Sequence, residues 1–521
     1  MSSPFASKLR TNYCPTDGEA AEITALLDEP VLQLKGLDDK IAELQKTIDK
    51  LAAQRNTLHT YIAEHRALIS LVRRLPLEIL EEIFSACLPT HRNCVMSTSE
   101  APLLLGRVCS SWRAISLSTP RLWSKLHIVE PTTAGWWPNM EEEVAKHLEA
   151  TKTWLARSGQ CPLSISLESG NEGGPTVSNA HSFFEALVPF APRWQHMQFA
   201  TAASILRTMS HLTEADVPLL ETLAFYTHPL HGSYDIVWGS LGIVRGPRVS
   251  SFSVPAYNFT PSEIPLRWHQ LTTLWMGGQP WSFPLTMTSE LLLETLTSCP
   301  QLRCCKLRVV DTSITFEDHP MLELPFLYTL ELDCGGRVDA TLAILVWHLS
   351  LPRLRTFTLH AQGSTILDER APSLVYFFAL WTQLETVEIQ CDRFSQSTLV
   401  DSLRSLPAGV RRLTIHDSHG VSANDEALAA VTALALEELV LTNCDLISDT
   451  ALLRFITTRM SEDHFKFRRV EALFRRRKTL DILTNLKPFV DSGRLKVSVT
   501  YPPSLYSPWE GAVHVERPPE I

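Results

Sequence analysis

The spacing of apolar positions along the chain changes twice. From Leu34 onward it is a heptad. Leu34, Ile41, Ile48, Ile62 and Ile69 fall at one core position, and Leu37, Leu44, Leu51, Leu58 and Val72 at the other. Arg55 and His65 occupy the two remaining core sites. Isoleucine at a with leucine at d favours parallel two-stranded coiled coils. The flanking residues Gln45, Thr47, Ala52 and Gln54 offer few complementary charges. The pattern predicts a coiled-coil-like helix over 31–72, which either self-associates through 34–72 or folds back onto its own protein. Residues 1–30 are expected to be a disordered or loosely ordered tail.

The stretch LPLEILEEIFSACL (75–88) broadens the apolar face. Proline at its second place suits a first helical turn, where a missing N–H costs nothing. Ile79, Leu80, Ile83, Phe84, Cys87 and Leu88 then recur at helical spacing. A polar loop, PTHRNCVMSTSEAP (89–102), leads to LLLGRVCSSWRAISLSTPRLW (103–123). The latter reads as two short helices with Val108, Trp112 and Ile115 on one side. Residues 73–127, about 55 positions, are few for an independent core. Their helices are also more apolar than packing on one another would use, which implies a partner.

From about residue 160 the period becomes that of strands. One phrase recurs: proline, any residue, an apolar one, two variable, apolar, variable, apolar. It occurs in APRWQHMQF, VPLLETLAF, GPRVSSFSV, CPQLRCCKL, LPFLYTLEL and LPRLRTFTL, and more loosely in WHQLTTLWM, WTQLETVEI, PAGVRRLTI and ALEELVL. Its first apolar residue runs through Trp194, Leu220, Val249, Leu271, Leu302, Leu327, Leu354, Leu384, Val410 and Leu436. Steps of 22 to 31 residues bracket the range of leucine-rich repeats, about 20–29. Residues two apart on a strand share a face, so Phe357 and Leu359 point inward together. Helical patterns at 288–299, 424–434 and 448–460 fill gaps between strands. One strand and one helix cannot bury such faces alone, whereas stacked copies can. Cys444 is expected to pack as a small buried residue under the turn leaving its strand. A β-sandwich would place turns every 8–12 residues, with no alternating helices. The predicted fold class is therefore α/β: a coiled-coil-like helix, a small all-α segment over 73–127, then an irregular repeat solenoid over 128–500. Residues 501–521 form a proline-rich tail.

Charge and chemistry narrow the function. The formal charge of −10 over 521 residues argues against general affinity for nucleic acid or anionic membranes, which needs a basic field. The longest apolar run, ATLAILVWHL (340–349), is too short to span a bilayer. Eleven cysteines, with no CxxC pair, read as free thiols in the reducing cytosol or nucleus. The neighbours Cys304 and Cys305 would face opposite sides of a strand, which disfavours a redox pair. No P-loop, dinucleotide-binding, zinc-protease or nucleophile-elbow motif is present, and cysteines and histidines lack metal-ligand spacing. SGNEGGP (169–175) lacks the lysine and helix that would cradle a phosphate. HFKFRRVEALFRRRKTL (464–480) reads as a basic, solvated helical face, with a nuclear-import signal or a phosphate contact as the alternative. No catalytic residues, cofactor or metal are expected, and the chain is not expected to be an enzyme.

Residues 75–123 resemble the F-box. Leu75-Pro76, Glu78-Ile79-Leu80 and Ile83-Phe84 match its start; Val108-Cys109, Trp112-Arg113 and Pro120-Arg121-Leu122-Trp123 match its second half in order and kind. The whole plan is similar to the F-box proteins with leucine-rich repeats that abound in mushroom-forming fungi. The resemblance implies a substrate-recognition subunit of a Skp–cullin–F-box ubiquitin ligase. The F-box would dock on a Skp-type adaptor, and through it a cullin, while the repeats hold the protein substrate. Adaptor contacts would fall on Leu75, Pro76, Ile79, Leu80, Ile83, Phe84, Val108, Trp112, Leu122 and Trp123, with Trp112 the foremost candidate for internal packing instead. The loop at 89–102 is longer than usual for the family; a surface bulge that leaves docking intact is expected, since long loops add little closure entropy. Two alternatives stand beside this reading. One is a scaffold that binds the adaptor without ubiquitination; the other is a sensor that takes a ligand on the repeats. Substrate-binding positions are unknown from sequence.

Overall fold

The structure, a computed structural model, describes residues 4–502 apart from residues 70, 337 and 393 and the segments 132–139, 170–179, 201–207, 227–237, 255–260, 278–286, 312–319, 363–372 and 462–465. SGNEGGP beyond Ser169, and the tail beyond Pro502, thus lie outside the described residues. The chain divides into two compact units, Met1–Ile83 and Phe84–Ile521.

The first unit is dominated by α1, Asp17–Leu68. It starts well before residue 31, so residues 17–30 are helical rather than a loose tail. The start is fixed locally: Glu19 accepts from the Thr16 N–H at 3.0 Å and from the Lys8 ammonium at 2.8 Å. Asp17 and Glu19 also suit the positive end of the helix dipole. A Lys8 hydrogen bond first, then those from Thr16 and Tyr13, hold the Glu19 carboxyl down at about 2. Pro30 lies inside the helix and removes one amide donor. Helix α1 ends at Leu68, so Ile69 falls beyond it and Val72 lies in a single 3-10 turn, Leu71–Arg74. The helical seam therefore stops at His65, two core positions short of the expected 72.

Among the described residues the second unit is built on one parallel sheet of fourteen strands. In chain order the strands are β1 (Lys125–Val129), β2 (Leu163–Glu168), β3 (Trp194–Ala200), β4 (Thr222–Tyr226), β5 (Ser251–Val254), β6 (Thr273–Met276), β7 (Cys304–Asp311), β8 (Leu322–Glu323), β9 (Thr329–Gly336), β10 (Leu349–Ser350), β11 (Thr356–Gln362), β12 (Thr386–Gln390), β13 (Arg412–His416), β14 (Glu438–Thr442), β15 (Arg469–Leu473) and β16 (Lys496–Thr500). Of the described strands, β8 and β10 leave the series and pair with each other. Each remaining strand pairs with the next in sequence, a solenoid-like stacking in which every turn contacts its neighbours.

The repeating phrase explains the stack. All ten anchor residues, Trp194 through Leu436, are fully buried. The residue after each anchor begins a ladder: Arg355 donates to Tyr328 O, Glu385 to Arg355 O, Arg411 to Glu385 O and Glu437 to Arg411 O, at 2.7–2.9 Å. Register then follows in step from β3 onward, with Phe357 opposite Val387 and Val387 opposite Leu413; one shift lies between β2 and β3, at Leu163 and Ser164. Alternate residues of a strand enter the core, as in β12, where Val387 and Ile389 are buried. Helices such as Ser289–Thr297, Gln396–Arg404, Asp425–Ala430 and Asp449–Ser461 cover the core face. Their starts are capped by Thr288, Ser395, Asn424 and Ser448. Between β4 and β6 short 3-10 turns take their place.

Cys444 sits fully buried under the turn after β14, donating to carbonyls of Ile415 and Thr442. Cys391 holds a similar place after β12, two repeats earlier, against His416 O at 3.3 Å. In β7 Cys305 is buried while Cys304 is half-exposed on the opposite face, and both are free thiols.

Two expectations change. The described part of the basic run, 466–480, is not a helix: it contains β15 and a loop that ends on a buried acid. Arg476 reaches Ile447 O and the Asp449 carboxylate, and its guanidinium lies 4.3 Å from the Phe474 ring centre. The solenoid also starts earlier than residue 128. Trp123, Leu126 and Ile128 repeat the anchor phrase and are all buried, so β1 belongs to the repeats while Trp123 closes the preceding α-helical segment. Among the described residues no helix is long and apolar enough to cross a membrane.

Candidate docking surface

Helix α2, Leu77–Ala86, carries the segment that raised the question of a partner. Its first turn is set by Pro76, whose carbonyl accepts from the Leu80 N–H at 3.1 Å. One edge of its apolar face is open: Ile79 and Ile83, one turn apart, are 48 % and 40 % exposed, and Leu77 is exposed as well. Leu80, on the neighbouring stripe, is buried, whereas Pro76 is exposed and Leu75 half-buried.

In the second unit Phe84 is fully buried, with its ring centre 4.8 Å from that of Trp112. Trp112 itself is half-buried on α3, Ser110–Ser118. Cys109 caps α3, its sulfur accepting from the Trp112 N–H. Arg113 folds back to Gly106 O at 2.7 Å and ties α3 to the turn Leu105–Arg107. That turn leaves Val108 58 % exposed, with Leu104 and Leu117 also open to solvent. The turn Pro120–Trp123 points the other way. Leu122 and Trp123 are buried; the Trp123 indole N–H donates to Ser116 O at 2.7 Å, and its ring meets Trp154 edge-on at 4.8 Å.

These burials correct the list of adaptor contacts. Phe84, Leu122 and Trp123 are core residues, because a side chain with essentially no accessible surface cannot touch a docking protein, and Leu80 keeps only 8 % of its surface open. Trp112 packs inward in part. Ile79, Ile83 and Val108 remain open, joined by Pro76 and partly by Leu75. Leu77, Leu104 and Leu117 were missed by sequence reasoning. Their spacing gave a signal, since each sits at the edge of an apolar face, but periodicity does not say which edge is covered. Removing the Phe84 ring should cost about 3 kcal/mol, the usual range for a buried aromatic. Chemical unfolding of Phe84→Ala against the parent chain measures it.

The 89–102 loop is not a free bulge. Val95 bridges in parallel to His127, and His127 N donates to Cys94 O at 2.7 Å. Asn93 spans the next strand, donating to Ser166 and accepting from Ser164. Cys94, Ala101 and Pro102 are buried. The loop thereby covers the edge of β1, which would otherwise present unpaired backbone groups.

A second surface is the strand face left open by the helices. Tyr226 and Trp275 lie together there, ring centres 5.4 Å apart, with the Lys306 ammonium 5.8 Å from the Trp275 ring. Lys306 and His360 both contact Glu331, Arg308 lies 3.7 Å from Asp333, and His416 lies 3.0 Å from Glu388. Burial alone would raise the Glu331 carboxyl, but hydrogen bonds from His360 and Lys306 hold it below the usual range. The same bond raises His360. Asp333 is pushed up by burial, against the pull of Arg308. Opposite charges here compensate one another, so this face offers no field of one sign. Among the described residues no group of three or more His, Cys, Asp or Glu side chains is placed to hold a metal ion.

No protein-family profile matches the chain, and no curated protein does. Among solved structures, a chain from the "Crystal structure of Rad7 and Elc1 complex in yeast" aligns with 73 % of this chain and 87 % of its own length, at 12 % identity and a TM-score of 0.35. A likeness of that depth does not establish a shared fold. What stands from the molecule itself is a mixed α/β chain with a long N-terminal helix and a parallel, solenoid-like sheet.

Proposed function

We propose that this chain is the substrate-recognition subunit of a Skp–cullin–F-box ubiquitin ligase. The observation that carries the reading is the open apolar edge of α2. Ile79 and Ile83 stand half-exposed at the positions where the F-box-like sequence implies adaptor contact. Exposed isoleucines one turn apart are the anchors a helix presents to a groove. Val108 is a further open apolar residue of the same F-box-like stretch. The repeats then hold the client on a rigid stack, and transfer is accelerated by raising effective concentration, with no catalytic side chain from this chain.

The test is affinity purification of the full chain with and without a proteasome inhibitor, followed by mass spectrometry. Recovery of a Skp-type adaptor and a cullin, with clients enriched under inhibition, is the expected result. Adaptor without cullin would instead favour the scaffold reading. Absence of any adaptor overturns both.

A further inference from the structure

We propose that α1 joins two copies of this chain as a parallel two-stranded coiled coil over Leu34–His65. Unlike the ligase reading, this inference does not depend on an adaptor. Its first support is exposure. Every apolar seam residue of the helical stretch, Leu34 through Ile62, stands 47–63 % open to solvent, and no other segment of residues 4–83 that is described covers the seam. Leaving so many large side chains in water along a single stripe is the pattern of an unmade interface. Facing a second copy, they would remove on the order of 800 Å² from each helix, the size of a stable protein–protein contact.

The seam also specifies its occupant. Isoleucine at 41, 48 and 62 with leucine at 37, 44, 51 and 58 is the arrangement of parallel dimers. Arg55 is the one charged residue at an a position. In a two-stranded coil its long stem can lie along the seam while the guanidinium reaches water; in a three- or four-stranded coil that position is sealed. A polar a residue of this kind fixes register and strand number. His65 closes the seam at its C-terminal end, its ring nitrogen already bonded to Tyr61 O at 2.8 Å. Charge raises no objection to parallel pairing. The flanking positions that would meet across the seam, such as Lys40 with Gln45 and Tyr61 with Arg66, contain no like-charged pair. The seam is bounded by Pro30 on one side and by the helix end at Leu68 on the other.

Three measurements on the full chain decide the matter. Light scattering at micromolar concentration should give twice the chain mass of 58.5 kDa. The double variant Ile48→Glu, Leu51→Glu should give the single-chain mass with an unchanged solenoid melting temperature, because both side chains are exposed in the lone chain. Mild oxidation of Ile41→Cys should yield a residue 41-to-41 linked peptide. In an antiparallel pair over the same seam the two copies of residue 41 would lie about 25 Å apart. A single-chain mass for the parent overturns the proposal. So does a dimer that survives the double substitution, or one that forms no 41-to-41 link.

Discussion

Lysine at both Ile79 and Ile83 is expected to abolish adaptor binding while the solenoid melts as before. Two anchors of this kind carry about 2 kcal/mol each at the centre of an interface, so their joint loss weakens binding roughly a thousandfold. Both side chains are half-exposed in the lone chain, and a surface substitution there shifts stability by only about 0.5 kcal/mol. The variant therefore separates docking from folding, which Phe84→Ala cannot do because Phe84 is core. The measurement is titration of purified adaptor against parent and variant chains, with thermal melts of each alongside. Unchanged affinity in the double variant would sink the assignment of α2 as the docking helix.

Removing the Asp449 carboxylate is the second large effect. Asp449 is fully buried at the start of the helix Asp449–Ser461. It accepts hydrogen bonds from Arg476, from the Thr479 amide and hydroxyl at 2.7 and 2.8 Å, from Leu480 N–H at 2.9 Å, and from the Tyr501 hydroxyl at 2.9 Å. Alanine there removes the acceptor these donors share and leaves the half-buried Arg476 guanidinium without its carboxylate, a loss of about 3–5 kcal/mol. Burial raises the Asp449 carboxyl, but the Arg476, Leu480 and Thr479 hydrogen bonds outweigh it and hold the group well below the ordinary carboxylate value. A carboxyl whose pKa falls on folding contributes its stability in full above its unfolded value, about 3.9. That contribution is lost as pH drops from there toward the folded value. Urea unfolding of parent and Asp449→Ala should therefore differ most at neutral pH, and the gap should narrow below about pH 4. An equal gap at pH 7 and pH 3 would show that packing, not charge, is what Asp449 supplies.

The solenoid was readable because its phrase repeats, and a repeat averages out the ambiguity of any one short strand. Four strands of the large sheet escaped, as did the short pair β8 and β10. In β15 the phrase is present as Phe467, Val470 and Ala472, all buried, but alanine in the last place and the surrounding arginines gave the run the look of a helical surface. In β2 and β16 the apolar residues, Leu163-Ile165-Leu167 and Leu495-Val497-Val499, alternate directly, without the two-residue spacer that marks an anchor. In β1 the anchor is Trp123, and one residue was being read in two roles. The apolar face of α2 was legible in the sequence, but its division into covered and open stripes was not. That division depends on what packs across from Phe84, and Trp112 is 28 positions away. The heptad was legible by period, yet its ends were set by Thr16 and Glu19 at one side and the turn after Leu68 at the other, which are local hydrogen-bond matters.

The double role of Trp123 fixes a direction. Because the same indole closes the short α-helical segment through Ser116 and seeds the first turn of the sheet, there is no linker between α3 and the strands that could swivel. Whatever seats itself against Val108 is thereby given a bearing toward every later strand, and the stack behaves as a fixed boom instead of a tether. Adding or deleting one repeat would move a cargo held at the far end by a set increment, so that reach is written into the number of turns.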